Sequence, residues 1–507
     1  MARPADKLAE SLEVLKGLQG QGRVALRARN MSRTHRERLQ KNGFIKEVMK
    51  GWYIPSHPDE ATGESTSWYA SFWAFCASYL EARFNDKWCI GLEQSIQLHI
   101  GDWVVPRQLL IRSPNGGNNL TQLLYDTSIF DIRLELPSDT DIEIKDGLRL
   151  YSLPTALLGC PQAHFVAQPT KLRAALAMIP DASELLEKLL AGGNSVVAGR
   201  LAGAFRNIGR DQIAEDILAT MRVAGYTVNE NDPFEDQSQI LFGARETSPY
   251  VNRMRMNWKK MREEILKIFP AAPGRLSSAA SYLERIDEIY VNDAYNSLSI
   301  EGYKVSAELI EKVRSGNWDP ETDKDDQNHR NALAARGYWQ AFQRVKQSIE
   351  KVLNGENAGA VAARDHSAWY LELFGPSVSA GILKATDLAG YRNGPVYIRH
   401  SMHTPPNKDA VRELMPAFFE LLKEETEPPV RVVLGHFMFV YIHPYMDGNG
   451  RMGRFLMNLM LASGRYPWTI VPLERRSDYM ATLESASVVG NIMPFASLLA
   501  ELLNKSR

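Results

Sequence analysis

The chain has 507 residues, of which 44% are hydrophobic and 23% are charged. A chain of this length predicts about three domains, each large enough to bury a hydrophobic core. The net charge of -1 at pH 7 excludes a general electrostatic attraction to nucleic acid or membranes, so any such affinity must come from a local patch.

The cysteines and the apolar segments favour a reducing, aqueous location. Cys76, Cys89 and Cys160 fit no zinc-binding spacing and are too few for a disulfide framework. The first residues lack the apolar core of a signal peptide. The most apolar run, from Val432 to Ile442, is too short to span a bilayer. We therefore expect a cytoplasmic protein that does not enter a membrane.

Residues 1–60 show the element order of a winged helix-turn-helix domain. An amphipathic helix comes first, and a second helix follows Asn30 or Ser32 as its N-cap. Asn42-Gly43 stops this second helix. Strand-forming residues on both sides of Lys50-Gly51 then predict a hairpin.

Residues 23–50 are strongly basic, with nine Arg or Lys residues against two acidic residues. One interpretation is that this surface contacts DNA, and the alternative is a small domain with a solvated basic face. The side chains predicted to contact DNA are those of the second helix and the hairpin tip: Arg33, Arg36, Arg38 and Lys50.

Residues 61–240 predict a mixed α/β region in which we find no constellation of catalytic residues. Together with the front residues, this region resembles the AbiEi-type antitoxins and related transcriptional regulators. The segments that carry the resemblance are Arg38–Ile45, Gly51–Ile54, Leu150–Leu157 and Gly199–Gly203. The resemblance implies DNA binding and autoregulation rather than catalysis.

A domain boundary is predicted near residue 240, and the remaining residues, 241–507, read as mostly helical. An apolar helix ends at Pro444, because a proline has no amide hydrogen and disfavours a helical conformation in the residue before it. His443 is therefore predicted at the mouth of a loop. A new helix is predicted from near Gly450 to Ser463.

The loop between these two helices, Asp447-Gly-Asn-Gly450, predicts a phosphate-binding site. Its glycines let backbone amides point into the loop, beside the positive end of the second helix. Arg451 and Arg454 lie three residues apart, so both can reach phosphate oxygens. Asp447 is an oxygen ligand that suits Mg²⁺ shared with phosphates, and His443 can take a proton from an attacking hydroxyl. Phosphoryl or nucleotidyl transfer needs this combination.

Residues 443–454, His-Pro-Tyr-Met-Asp-Gly-Asn-Gly-Arg-Met-Gly-Arg, resemble the signature of Fic-domain proteins, His-x-Phe-x-(Asp/Glu)-Gly-Asn-Gly-Arg-x-x-Arg. Tyr445 in place of phenylalanine is the one departure. The resemblance covers residues 245–507 and implies transfer of AMP from Mg-ATP to a hydroxyl of a target protein, or of the chain itself, with release of pyrophosphate. It implies that His443 is the catalytic base and that Asp447 holds Mg²⁺. The residues implied to bind the nucleotide are Gly448, Asn449, Gly450, Arg451 and, for the γ-phosphate, Arg454.

Gly448 separates two reaction classes of this superfamily. The Doc kinases carry a lysine at this place and bind the nucleotide the other way round. The glycine in this chain therefore implies AMP transfer rather than phosphorylation.

Ser297-Leu-Ser-Ile-Glu301-Gly302 resembles the inhibitory pattern (Ser/Thr)-x-x-x-Glu-(Gly/Asn) that precedes the core in one class of Fic proteins. The resemblance implies that Glu301 pairs with Arg454 and blocks the γ-phosphate. One alternative is an ordinary carboxylate at a helix end. Another is that Glu301 orients a water that removes AMP, which would make the protein a de-AMPylase.

Two further segments resemble parts of the Fic fold. Residues 391–407 resemble the flap, a β-hairpin whose edge pairs with a target protein by strand addition, and the alternative is a plain surface hairpin. Residues from Arg476 onward resemble the closing helices, in which Tyr479 either lines the adenine pocket or is a core tyrosine.

The sequence therefore predicts a mainly α protein with an all-helical Fic core and a β-hairpin flap at 241–507. A winged-helix-like domain at 1–60 and a mixed α/β region at 61–240 precede this core. We expect an auto-inhibited protein adenylyltransferase that uses ATP and Mg²⁺. The alternative is a DNA-binding transcriptional regulator or antitoxin-type protein whose Fic domain senses nucleotides. A homo-oligomer is left open.

Overall fold

The computed structural model of the chain describes residues 4–58, 60, 64–234, 248–273, 278–318, 326–388 and 390–505. The chain divides into two compact units. The first unit comprises residues 1–253 and 397–404, and the second comprises residues 254–396 and 405–507. The boundary predicted near residue 240 lies within 235–247, outside the described residues. The three-part division at residues 60 and 240 therefore stays a prediction.

The predicted mainly helical class is confirmed, since the described residues contain 20 α-helices and nine short strands. The helices up to residue 268 are α1 Pro4–Gly20, α2 Arg33–Lys41, α3 Thr66–Phe84, α4 Leu92–His99, α5 Leu153–Gly159, α6 Gln162–Ala167, α7 Pro169–Met178, α8 Ser183–Gly192, α9 Ser195–Asn207, α10 Asp211–Val223 and α11 Pro249–Ile268.

The strands of the first unit form three separate sheets. They are β1 Leu26–Arg27, β2 Ile45–Met49, β3 Trp52–Pro55, β4 Cys89–Ile90, β5 Gln108–Ser113, β6 Asn119–Gln122, β7 Ser128–Arg133, β8 Ile142–Lys145 and β9 Leu148–Tyr151. The strand orders are β1-β3-β2, β4-β5-β7-β6 and β8-β9. Among the strands of the described residues, β5 and β7 form the only parallel pair.

The beginning of the first unit follows the local signals in the sequence. Ser32 caps α2, because its hydroxyl accepts a hydrogen bond from the His35 amide at 3.3 Å. Gly43, just after the helix, has a φ of +75°, a left-handed conformation that favours glycine. The predicted hairpin at Lys50-Gly51 is confirmed by the antiparallel pairing of β2 with β3.

One aromatic core connects these first elements with the region that follows them. Trp52 and Ile54 of β3 belong to the same buried cluster as Trp68, Phe72 and Phe75 of α3. The ring of Trp52 packs edge-on against the ring of Phe75, with centroids 5.8 Å apart. The hairpin is therefore stabilised by the core of the first unit and not by its own strands alone.

All regular secondary structure in the described residues of the second unit is helical. Its helices after α11 are α12 Ala279–Ile300, α13 Ala307–Arg314, α14 Asp326–Leu353, α15 Ala358–Ser379, α16 Lys408–Glu424, α17 Pro428–Ile442, α18 Asn449–Ser463, α19 Arg476–Glu484 and α20 Met493–Lys505.

Helices α17 and α18 form the centre of the second unit. Both are buried on nearly every side, and each packs along the other. A helix that is apolar around its circumference belongs in a core. Prolines occupy the first turn of α17, where their missing amide hydrogens cost nothing. The loop that joins these two helices, residues 443–448, is therefore presented by two buried helices. None of the helices in the described ranges combines the length and hydropathy that a bilayer crossing requires.

Candidate active site

His443 is the residue at which α17 ends. Its backbone is left-handed, with φ 54° and ψ 61°, and its amide still donates to the carbonyl of Phe439 at 3.0 Å. The ring nitrogen Nδ1 lies 3.1 Å from the carbonyl oxygen of Val440. Because a carbonyl only accepts, Nδ1 must carry the hydrogen when the ring is neutral. The other nitrogen, Nε2, is then left with a lone pair that can accept a proton.

Burial keeps this imidazole neutral. Removal from water lowers the pKa of His443 to about 4, and the nearby guanidinium of Arg392 acts in the same direction. A base must be unprotonated at the working pH, so the lowered pKa gives His443 the form that proton abstraction needs.

The side chain of Asn449 closes the loop that follows His443. Its Oδ1 accepts from the amide of Tyr445 at 2.9 Å, and its Nδ2 donates to the carbonyl of Tyr445 at 2.8 Å. The ring of Tyr445 is buried and stacks on Tyr370, with centroids 3.8 Å apart. Asn449 therefore supports the loop with its side chain, and Tyr445 anchors the loop in the core as an aromatic residue should.

Gly448 is the N-cap of α18, and two observations require a glycine there. Its φ is +80°, and a Cβ at this position would lie 2.7 Å from Cε2 of Phe374. The neighbouring Asp447 turns outward, with 68% of its side chain exposed, and its Oδ1 accepts from the Gly448 amide at 2.6 Å. Asp447 is therefore available to a ligand outside the loop.

Arg451 and Arg454 are buried at the start of α18, with exposed fractions of 1% and 4%. Arg451 lies between the rings of Tyr303 and Phe374, and its Nη2 is 3.5 Å from Asp447 Oδ2. Among the residues that the structure describes, Nε of Arg451 and Nη1 of Arg454 have no hydrogen-bond partner. Unsatisfied buried donors of this kind indicate a site for an anion.

Glu301 is placed against Arg454, as the sequence pattern predicts. Nη2 of Arg454 donates to Oε1 of Glu301 at 2.7 Å, and Nε donates to the hydroxyl of Ser297 at 2.9 Å. Burial alone would raise the pKa of Glu301, but Arg454 and Arg451 outweigh burial and lower it. A Cβ at Gly450 would overlap the carboxylate of Glu301. The carboxylate thus lies over the glycine loop, next to the buried guanidinium.

The prediction of a β-hairpin at residues 391–407 is wrong, because the described residues of this segment contain no strand. Three of its residues, Pro395, Pro405 and Pro406, have no amide hydrogen to give to a ladder. The side chain of Arg392 also binds the carbonyl oxygens of Gly394 and Pro406. Backbone groups that a hairpin would pair are therefore engaged with a side chain.

Arg392 is a site residue that the sequence did not reveal. Its side chain is buried, and Nε donates to the carbonyl of His443 at 2.7 Å. Nη2 lies 3.4 Å from the carbonyl of Ile442. These carbonyls end α17 and lack helical partners. Arg392 therefore holds the backbone of the candidate base. No pattern in the sequence distinguishes it from an arginine in a surface loop.

Tyr479 is packed in the core of the second unit. Only 1% of its surface is exposed, and its hydroxyl lies 2.7 Å from Nε2 of the buried His436. Burial raises the pKa of Tyr479 to about 12. This placement leaves little surface for a nucleotide base, and a role in the adenine pocket stays a prediction.

The residues predicted to contact DNA differ in their surroundings. Arg33 is 82% exposed at its side chain and pairs with Glu37 at 2.6 Å. Arg36 donates to the carbonyl of Ala28 at 3.3 Å, and Arg38 donates to the hydroxyl of Ser11 in α1 at 2.8 Å. Lys50 is exposed at the tip of the hairpin. Arg33 and Lys50 therefore face solvent, while Arg36 and Arg38 hold elements of their own domain.

The resemblance predicted from the signature is confirmed, because residues 370–461 match the model of the Fic/DOC family. A segment of 120 residues is 36% identical to Protein adenylyltransferase Fic of Drosophila willistoni and 38% identical to that of Drosophila melanogaster. The segment makes up 23% of this chain and 24% of either relative, so the chain spans about a quarter of the length of these curated relatives. A solved structure of a Fic-1 fragment from C. elegans is 18% identical over 64% of this chain and 90% of its own, with a TM-score of 0.37.

The two reasons for glycine at position 448 can be separated by substitution. We expect Gly448→Ala to lower the free energy of unfolding by about 2–4 kcal/mol, from the left-handed φ and from the contact with Phe374 together. Gly490→Ala is the matched control, because Gly490 also has a positive φ, +76°, but a Cβ there would meet nothing within 4 Å. It should cost only about 1–2 kcal/mol. Thermal unfolding of both variants measures the difference, and equal melting temperatures would contradict a tight contact with Phe374.

Proposed function

We propose that the chain is a protein adenylyltransferase whose activity is held down by its own Glu301. The observation that carries the proposal is the arrangement around the glycine loop. A neutral histidine, an exposed carboxylate and two buried guanidiniums surround a loop whose anion site is taken by Glu301. The match of residues 370–461 to the Fic/DOC family supports the reaction class.

The proposed reaction transfers AMP to a hydroxyl of a target protein or of the chain itself. The hydroxyl oxygen attacks the α-phosphorus of ATP, and the bond from that phosphorus to the oxygen bridging to the β-phosphate breaks. Pyrophosphate leaves with the electron pair of that bond. The proton of the hydroxyl goes to Nε2 of His443, the nitrogen that has a lone pair when Nδ1 bonds to Val440.

The residues of the loop fit a triphosphate with a divalent cation. Arg451 and Arg454 each offer a buried donor nitrogen that no described residue satisfies. The described residues include no group of three or more acidic, cysteine or histidine side chains that would hold a metal by themselves. Mg²⁺ is commonly bound by one or two carboxylates together with substrate phosphates. Asp447 would supply that carboxylate, and the cation would neutralise charge on the phosphates.

The inhibition follows from competition for Arg454. A γ-phosphate and the Glu301 carboxylate are both anions that would bind the same guanidinium group, and the carboxylate is already 2.7 Å from its Nη2. Because Glu301 is part of the chain, its effective concentration at the site is high. The nucleotide must therefore displace it before all three phosphates can bind.

We expect Glu301→Gly to raise the transfer of label from ATP labelled at its α-phosphorus by at least about tenfold, because a charge-assisted hydrogen bond of ~1.5–3 kcal/mol is removed. Adding His443→Ala should return the label to background. The readout is incorporation into the chain and into proteins of a cell extract, with mass spectrometry to distinguish added AMP from added phosphate. Glu356→Gly, at an exposed glutamate, serves as the control. No gain of label in Glu301→Gly would rule out auto-inhibition.

The pH dependence of labelling should reflect the environment of His443. With its pKa near 4 instead of the usual 6.5, His443 stays neutral as the pH falls through 6.5. The charge of Glu301 raises the pKa of His443, so its loss in Glu301→Gly lowers that pKa further. We therefore expect the labelling rate of Glu301→Gly to be level from about pH 8 to about pH 5.5. A loss of half the rate at pH 6.5, in a protein still folded by circular dichroism, would contradict a base whose pKa is held well below 6.5.

The same Glu301→Gly protein also tests the reverse reaction. If Glu301 orients a water that removes AMP, wild-type protein should strip label from a modified target, and Glu301→Gly should not.

Docking of a target protein on residues 391–407 remains part of the proposal, although without the strand addition that a hairpin edge would provide.

A second proposal concerns the first unit, which we infer binds duplex DNA. The described elements run helix, strand, 3-10 turn, helix and two-stranded hairpin, and the sheet order is β1-β3-β2. That arrangement matches a winged helix-turn-helix, in which the helix after the turn enters the major groove. Arg33 in the first turn of α2 and Lys50 at the hairpin tip are both exposed cations.

DNA binding through this surface should be sensitive to salt and to these two side chains. We expect Arg33→Ala combined with Lys50→Ala to weaken binding to a duplex and to reduce the slope of log affinity against log salt by about 2, since each lost phosphate contact removes about 1. Gel-shift titration at several salt concentrations measures both quantities. Lys312→Ala, at an exposed lysine of the second unit, is the control. No shift of any duplex at low salt would exclude this role.

A further inference from the structure

Asp293 is a buried acidic residue in α12, two turns before Glu301, and neither the signature nor the inhibitory pattern includes it. Only 5% of its surface is exposed. Its Oδ2 accepts from the hydroxyl of Tyr338 in α14 at 2.6 Å, and its Oδ1 accepts from Nε1 of Trp468, after α18, at 3.0 Å. A buried carboxylate is costly unless it is paired in this way. Such a residue needs an explanation beyond packing.

Two hydroxyls lie between Asp293 and Arg454. Nε of Arg454 donates to the hydroxyl of Ser297, and the Ser297 side chain is close enough to the Tyr338 hydroxyl to oppose the rise in its pKa that burial causes. Tyr338 in turn donates to Asp293. The polar groups therefore run from the guanidinium past two hydroxyls to the carboxylate. Polar groups aligned between opposite charges polarise one another, which strengthens their interaction.

Burial raises the pKa of Asp293 to about 6, although the hydrogen bonds from Tyr338 and Trp468 oppose this. Both hydrogen bonds favour the charged form of the carboxylate, against the effect of burial.

Asp293, Ser297 and Glu301 follow one another at intervals of four residues, which places them near one face of the helix. Two of them, Ser297 and Glu301, bind Arg454 directly, and the carbonyl of Ser297 also accepts from Nη2 at 3.0 Å. We propose that Asp293 is a positioning residue that stabilises the inhibited state, by orienting Tyr338 and Ser297 so that α12 holds Glu301 on Arg454.

The contacts of α12 with Arg454 raise the free energy that is needed to displace Glu301 from Arg454. Moving the end of α12 away from Arg454 breaks the contacts of Ser297 as well as the ion pair of Glu301. The bond from Arg454 to the Ser297 hydroxyl carries the charge of the guanidinium and is therefore worth more than a neutral one. Asp293 therefore raises the barrier that a nucleotide must overcome, without touching the nucleotide.

Helix α12 also has contacts that do not depend on Asp293. The hydroxyl of Tyr282 donates to the carbonyl of Tyr466 at 2.7 Å, and Oδ1 of Asn296 accepts from the amide of Leu473 at 2.8 Å. Nε of Arg476 donates to the carbonyl of Ile300 at 2.9 Å. A variant at Asp293 should therefore keep the helix folded and change only its hold on Arg454.

The inference rests on the proposed auto-inhibition, and Asp293→Asn tests it in an otherwise complete chain. The amide has nearly the same shape as the carboxylate but no charge, and it cannot accept from Tyr338 and Trp468 with both of its terminal atoms. We expect label from ATP labelled at its α-phosphorus to rise about fivefold to tenfold over wild type, which is the difference between charged and neutral hydrogen bonds. Binding of Mg-ATP, measured by calorimetry, should tighten by a similar factor. Hydrogen exchange should increase in residues 293–301.

Three further variants make the result specific. Tyr338→Phe removes only the hydroxyl that donates to Asp293, and it should raise labelling in the same way. Tyr290→Phe is the control, because the buried Tyr290 hydroxyl on the same helix has no hydrogen-bond partner among the described residues. It should label like wild type. Asp293→Asn combined with Glu301→Gly should label no more than Glu301→Gly alone, because both changes release the same contact.

The outcomes separate the two proposals. If Glu301→Gly labels strongly while Asp293→Asn and Tyr338→Phe remain at the wild-type level, the role of Asp293 is refuted and auto-inhibition stands. A combined variant that labels more or much less than Glu301→Gly also refutes it, since Asp293 would then act outside the inhibited state. If Glu301→Gly itself stays silent, the failure lies with auto-inhibition.

Discussion

The burial of two guanidinium groups at the start of α18 is the constraint on which the rest of the site depends. Arg451 and Arg454 are almost completely removed from water. A buried charge is tolerated only when anions and hydrogen-bond acceptors surround it. In this structure Asp447, Ser297 and Glu301 supply those groups. The buried guanidiniums need an anion next to them. The Glu301 carboxylate and a phosphate of the nucleotide would therefore compete for the same place.

The geometry of the loop makes that exclusion possible. Gly448 turns the backbone with a positive φ, and Gly450 leaves the space that the Glu301 carboxylate fills. A side chain at either position would displace Phe374 or Glu301. The two glycines of the signature therefore have different roles. Gly448 sets the path of the backbone, and Gly450 leaves the space that an anion can occupy.

The basic segment of the first unit shows how a charge count can mislead about binding. Nine Arg or Lys residues lie between residues 23 and 50, but several of them stabilise their own domain. Arg38 ties α2 to α1 through Ser11, and Arg36 lies over the ring of Tyr53. A guanidinium satisfies carbonyl and hydroxyl acceptors as readily as phosphates. The surface that remains for a nucleic acid is smaller than the sequence suggests.

The sequence by itself determined the local features of this protein. The ends of α17 and α18, the N-cap at Ser32 and the hairpin at Lys50-Gly51 follow from residues that are neighbours in the chain, so local patterns identify them. The pairing of Glu301 with Arg454 was also predicted, but only because a family resemblance connects two distant motifs. Only the tertiary structure decided that Arg392 holds the backbone of His443, that residues 391–407 form no hairpin, and that the buried Asp293 accepts a hydrogen bond from Tyr338. Those contacts join residues that are tens of positions apart. Their energies depend on burial and on direction, which local sequence patterns do not record.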